Sequence, residues 1–131
     1  MLKTPRRLLS ASIAALFLIT AMLFVLPGVS AEAASWTDEG NYADSFAGGT
    51  GEESNPFLIS TPKELARLSK ESGNYSGKYF KLTNDIDLTK VDENGERVQW
   101  SPIGFNGTFD GDGHTVSGVY INSSADCVGF F

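Results

Sequence analysis

The sequence holds few of the residues from which metal, redox and acid–base sites are built. It has one cysteine, Cys127, and one histidine, His114. A lone cysteine closes no internal disulfide, so the chain depends on no disulfide framework, and Cys127 reads as a small buried apolar residue. Zinc needs three or four convergent His, Cys or carboxylate ligands, and one histidine cannot supply that set. Basic residues are scarce too, with 10 Lys and Arg against 16 Asp and Glu and a net charge of −6. Such a surface repels nucleic acid and anionic membrane, which excludes both as partners. Neither Gly-x-Ser-x-Gly nor His-Glu-x-x-His occurs, so nucleophile-elbow hydrolases and zincin peptidases have no residues here to carry them. The expectation is a non-enzyme with no catalytic, cofactor-binding or metal-ligating residues and no cofactor.

A long apolar run occurs once, at the start. Lys3, Arg6 and Arg7 precede an uncharged stretch from Leu8 to Leu26, Pro27-Gly28 breaks it, and Ala31-Glu32-Ala33 places small residues where a signal peptidase reads. That order predicts a secretory signal peptide over residues 1–33. The 19 uncharged residues exceed the usual apolar region of about 7–15 and approach the ~20 that span a bilayer, so an uncleaved anchor is the alternative. Arg6-Arg7 points toward the twin-arginine route, but Pro5 and the strongly apolar run favour the general one. The leader carries three of the basic residues and one acidic one, so the mature part is more acidic still. A secreted product at the extracellular cell surface is expected, with no membrane insertion apart from the signal peptide.

Residues 34–55 are polar and glycine-rich, with Trp36, Tyr42 and Phe46 as isolated aromatics, and read as a flexible linker. Order is expected from residue 56. Pro56-Phe57-Leu58-Ile59-Ser60 suits a strand. Thr61 as cap, Pro62 in the first turn and Glu64 three residues after the cap predict a helix over about 62–72, ended near Gly73. Leu65 and Leu68, with Ala66 and Ser69, give that helix a narrow apolar stripe, and Glu64, Arg67 and Glu71 lie on the wet side. The period then drops to two. Phe80 and Leu82 point one way and Tyr79 and Lys81 the other, then Ile86 and Leu88 point inward beside Asp87. Asp92-Glu93-Asn94-Gly95 marks a turn between Val91 and Val98, and Val119-Tyr120-Ile121 closes the pattern.

The densest stretch is FNGTFDGDGHTVSG at 105–118. As a calcium loop it fails at both ends, because aligning Gly113 with the loop glycine puts Thr108 first and Val119 last. His114 reads as a turn residue bonded to backbone, and Asp110 and Asp112 as acids that bond local amides. Gly107, Gly111, Gly113 and Gly118 let the backbone turn, while Phe109 and Val116 supply core. Asp85 with Asp87, and Asp110 with Asp112, are carboxylate pairs of the kind that serve acid–base work, but such pairs are common on a surface this acidic.

Very short strands with Asn, Asp and Gly corners suit stacked coils. The blocks Trp100-Ser101-Pro102-Ile103-Gly104 and Phe105-Asn106-Gly107-Thr108-Phe109-Asp110-Gly111-Asp112-Gly113-His114-Thr115, with Asn55-Pro56-Phe57-Leu58-Ile59 before them and Gly129-Phe130-Phe131 after, resemble the GLUG-motif β-helix repeats of exported bacterial surface proteins. That group includes adhesin-like proteins and segments upstream of IgA-specific metallopeptidase domains. The resemblance covers residues 46–131. It implies an all-β fold, a right-handed parallel β-helix over residues 56–131, with the helix near 62–72 as its N-terminal cap. Gly129-Phe130-Phe131 is a partial form of the Gly-Leu-Phe-Gly block, so the solenoid is expected to be incomplete at its C-terminus and the chain to be a fragment of a longer repeat protein. The expected function is a non-catalytic, exported cell-surface module of structural or adhesive type, displaying Tyr79, Lys81, Asp87 and Tyr120. Its expected partner is a glycan or a host or cell-surface protein. The alternative is the leading segment of a surface polysaccharide-active enzyme or peptidase with its catalytic domain downstream.

Overall fold

A computed structural model describes residues 33–126 and 128–131. Apart from Ala33, the expected signal peptide lies outside the described residues, as does Cys127. Regular secondary structure begins with β1 (Phe57–Ile59), followed by α1 (Pro62–Glu71) and a 3-10 turn at Ser72–Tyr75. Then come β2 (Tyr79–Leu82), β3 (Ile86–Asp87), β4 (Thr108–Asp110) and β5 (Val116–Ser117).

The helix forms where its local signals place it. Thr61 Oγ1 accepts from the Glu64 amide at 3.3 Å, and the Glu64 carboxylate accepts from the Thr61 amide at 3.1 Å. The same carboxylate accepts from the Ser60 amide at 2.6 Å. These bonds satisfy donors that a bare helix start leaves unpaired. Leu65, Ala66 and Leu68 are completely buried, and each leucine contributes about 1.5–3 kcal/mol by leaving water. Thr61→Ala should therefore lower stability by about 1 kcal/mol, read as a drop in Tm. An unchanged Tm would show that the cap contributes nothing.

Parallel strands need a crossover of a dozen or more residues, and α1 with its 3-10 turn is the crossover from β1 to β2. The two strands pair in parallel, Phe57 opposite Phe80 and Ile59 opposite Leu82. On its other side β2 pairs in parallel with β4, Phe80 opposite Phe109. Three phenylalanines thus stand in one row across the three-stranded sheet. β3 and β5 form a separate parallel pair, Ile86 opposite Val116. The alternation in β2 sets its burial, with Phe80 and Leu82 inside and Tyr79 and Lys81 half-exposed. Ile59, Leu65, Leu68, Phe80, Leu82, Ile86, Leu88, Val98, Trp100 and Ile103 make the core, and Trp36 joins it.

This overturns the expected all-β class and the parallel β-helix. The described residues form two small parallel sheets, of three and two strands, with one short helix, and contain no closed sheet or solenoid. The fold is small and mixed. The strands are only two to four residues long, and the stretch from Leu88 to Gly107 adds none. There the turn at Asp92–Gly95 folds Val91 back against Arg97 in an isolated antiparallel bridge. Val98, Trp100 and Ile103 are buried from irregular backbone, which bonds instead to the tail: the Trp100 amide donates to Tyr120 O at 2.7 Å and the Ile103 amide to Phe130 O at 3.0 Å.

Residues 34–55, read above as a linker, carry no strand or helix but make many bonds. The Trp36 amide donates to Gln99 O, the Ala43 amide to Lys63 O, and the Ala47 amide to Leu58 O, at 2.9–3.0 Å. Phe46 packs against Phe57, Tyr75 and Phe80. The indole Nε1 of Trp36 is buried with no partner among the described residues. Trp36→Phe removes that unpaired donor and keeps most of the ring, so denaturant melts should shift far less than for Trp36→Ala, for which about 3–5 kcal/mol is expected.

Candidate functional site

The glycine-rich corner is tied down by its own polar groups. The Asp112 amide donates to Asp110 Oδ1 at 2.9 Å, and the His114 amide donates to Gly111 O at 2.8 Å. Asp112 takes a left-handed backbone, φ 46°, stabilised by that local bond, and Gly113 follows at φ 78°. Lys81 reaches the Asp112 carboxylate at 3.1 Å. The Thr115 amide donates to Asp85 Oδ1 at 2.9 Å, and His114 Nδ1 lies 3.3 Å from the same oxygen. His114 is therefore a turn residue whose ring meets a carboxylate, where backbone was expected. Gly111 takes no left-handed φ, and a Cβ there would meet nothing, so it is not among the glycines this turn requires. No group of three or more His, Cys, Asp or Glu gathers as a metal site among the described residues.

The suspected carboxylate pairs are engaged locally. The bond from the Thr115 amide, then that from His114, holds Asp85 below the ordinary 3.8. Asp87 is lowered by the Thr89 side chain and amide. Both groups titrate lower folded than unfolded, so their contribution is fully present above about pH 3.8 and is lost as pH falls through the folded values. Urea midpoints should decline below pH 4, and Asp85→Asn should flatten that decline. Equal slopes for the variant and the parent would sink this account.

The four side chains expected on display have different fates. Tyr79 is half-buried, Lys81 is paired with Asp112, and Asp87 is exposed but bonded to the Thr89 amide at 2.8 Å. Tyr120 lines a hollow of about 210 Å³ with Asp92, Asn94, Glu96, Arg97, Gln99 and Asn122. The Arg97 guanidinium lies 4.5 Å from the Tyr120 ring centroid, so the ring face is covered by a cation.

A second hollow, of about 310 Å³, has a different character. Phe46 from the polar N-terminal stretch, Phe57 from β1 and Tyr75 from the 3-10 turn meet with centroids 4.9–5.7 Å apart. Arg67 on α1 holds one wall. It pairs with Glu71 at 2.8 Å, donates to the Tyr75 hydroxyl at 3.2 Å and to Ala43 O at 3.1 Å, and sits 5.7 Å from the Phe46 centroid. The Tyr75 hydroxyl donates to Glu71 at 2.9 Å. Burial, then that bond to Glu71, pushes the phenol above its ordinary 10.0. Exposed Asp44 and Ser45 stand at the rim beside Gly48 and Gly49. Aromatic walls with a few fixed polar groups are the chemistry of a small-ligand site. Sequence reading missed it, because Phe46 and Tyr75 read as isolated aromatics and the block that holds Phe57 reads only as a strand.

No family model matches the chain. No solved structure matches it. A protein of Evansella cellulosilytica named "Putative Gly-rich membrane protein" is 39% identical over 98 residues, covering 68% of this chain. The match spans 11% of that relative's length. The relative's name is consistent with a cell-envelope location. Among the described residues no helix is long and apolar enough to cross a membrane.

Proposed function

We propose that the chain is an exported module of the cell surface, structural or adhesive in type, and the N-terminal part of a larger protein. The basic leader with its apolar run supports export, and similarity to a much longer membrane protein supports the envelope and the larger whole. The GLUG-like blocks support an adhesin-like bacterial surface protein. The observation that carries the adhesive part is the aromatic-walled hollow at Phe46, Phe57 and Tyr75, which is open to solvent and held rigid by Arg67 and Glu71. Its partner is a glycan or a cell-surface protein.

The test is surface display. Intact cells producing the full chain should lose it to added protease and should adhere to saccharide-coated beads. Protection from protease in intact cells would overturn the export reading. Accessible protein that confers no adhesion would leave a structural module.

A further inference from the structure

The hollow at Phe46, Phe57 and Tyr75 is built against an anionic guest, and its Phe46 face is closed to a cationic one. Over the Phe46 ring the place of a cationic guest is already taken by Arg67, 5.7 Å from the centroid. The charge of Arg67 is itself met by Glu71 at 2.8 Å, and Asp44 adds a carboxylate at the rim, so an anionic guest finds no free cation and faces a chain of net charge −6. A neutral guest meets neither obstacle. About 310 Å³ is at the bottom of the usual 300–1,000 Å³ for small-molecule sites, which suits one ring-sized group. The walls are apolar and the rim is polar, with Asp44, Ser45 and the bare backbone of Gly48 and Gly49. A sugar ring has the matching form, with C–H groups on its face and hydroxyls at its edge.

The geometry points to this hollow as a subsite for one ring of a neutral glycan, an inference that rests on the adhesive reading above. Phe57 and Tyr75 take the face of the ring, and Asp44 and Ser45 take its hydroxyls. The Arg67–Glu71–Tyr75 network fixes the Tyr75 ring before binding, so little side-chain ordering opposes association.

Saturation-transfer NMR on the full chain tests this with glucose and N-acetylglucosamine trimers, a galacturonic acid trimer and a phenylalanine-containing peptide. A neutral trimer should take saturation from the aromatic protons, and the acidic trimer should not. Ser45→Trp, at an exposed rim position, should weaken binding at least tenfold with Tm unchanged, and Asp44→Ala should weaken it less. Asn122→Ala, in the Tyr120 hollow, should change nothing. No neutral trimer binding, preference for the acidic trimer or the peptide, or full affinity in Ser45→Trp would each overturn the subsite. Wild-type adhesion that survives Ser45→Trp overturns the subsite alone, whereas its complete absence removes the adhesive reading beneath it.

Discussion

Phe80→Ala should leave much of the protein unfolded at room temperature. Phe80 is 1% exposed and lies at the centre of an aromatic cluster, its centroid 5.3 Å from Phe46, 5.3 Å from Phe57, 5.5 Å from Tyr75 and 5.5 Å from Phe105. Its strand is the middle one of three, so the same residue holds β1 on one side and β4 on the other. Truncating a buried phenylalanine to alanine costs about 3–5 kcal/mol, through lost transfer energy and the cavity that remains. Domains have about 5–15 kcal/mol in all, and small ones bury the least surface per residue. The change therefore consumes most of the margin. Denaturant titration followed by circular dichroism should show a transition shifted nearly to zero denaturant. Phe80→Leu, which refills most of the volume, should cost far less. A Phe80→Ala protein melting within a few degrees of the parent would mean that the ring cluster is not the centre of stability.

The second large effect belongs to a glycine. Gly118 has φ 70°, and a Cβ there would lie 2.2 Å from Thr89 Oγ1, 2.5 Å from Thr89 N and 2.8 Å from Asp87 Oδ1. Gly118→Ala faces two penalties. Left-handed backbone costs a side-chain-bearing residue about 1–2 kcal/mol, and relieving the clash displaces the exposed Thr89 amide from Asp87. The neighbouring β3–β5 pairing, with the Leu88 amide donating to Ser117 O at 2.9 Å, shifts with it. A loss of at least about 1–2 kcal/mol is expected, with the backbone shift adding to it. Gly111→Ala is the control, since a Cβ there meets nothing within 4 Å. Thermal melts of the two variants should differ widely, and equal losses would refute the steric account.

Local features were legible and distant ones were not. The helix start is written in three residues within four positions, Thr61, Pro62 and Glu64, and the capping box is formed by two of them. The inward sense of Phe80 and Leu82 follows from a two-residue period alone. At the corner 110–114 the bond from the Asp112 amide to Asp110 was readable because it is local, while the reach of His114 to Asp85 and of Lys81 to Asp112 was not. Trp36 offered no such signal. It sits in a polar stretch with no apolar period, and what buries it is a backbone bond to Gln99 and packing from distant residues. The aromatic hollow shares that origin, since Phe46 enters from the same stretch. The solenoid expectation failed because short strands with glycine corners leave open how the chain between them travels. Between Leu88 and Gly107 it folds back on itself and adds no strand.

The bond between Trp36 and Gln99 also orders events in time. The side chains of Ser35 and Ser101 meet at 2.8 Å across a separation of 66 residues, so this contact closes only after most of the chain is present. Contacts of such range carry a loop-closure cost before they contribute, and they slow folding. Ala43 and Ala47 bond to Lys63 and Leu58, close by in the chain, whereas Ser35 and Trp36 wait for residues 99–101. Refolding should then show Phe80 buried first and Trp36 last, as a late fluorescence phase that Trp36→Phe removes.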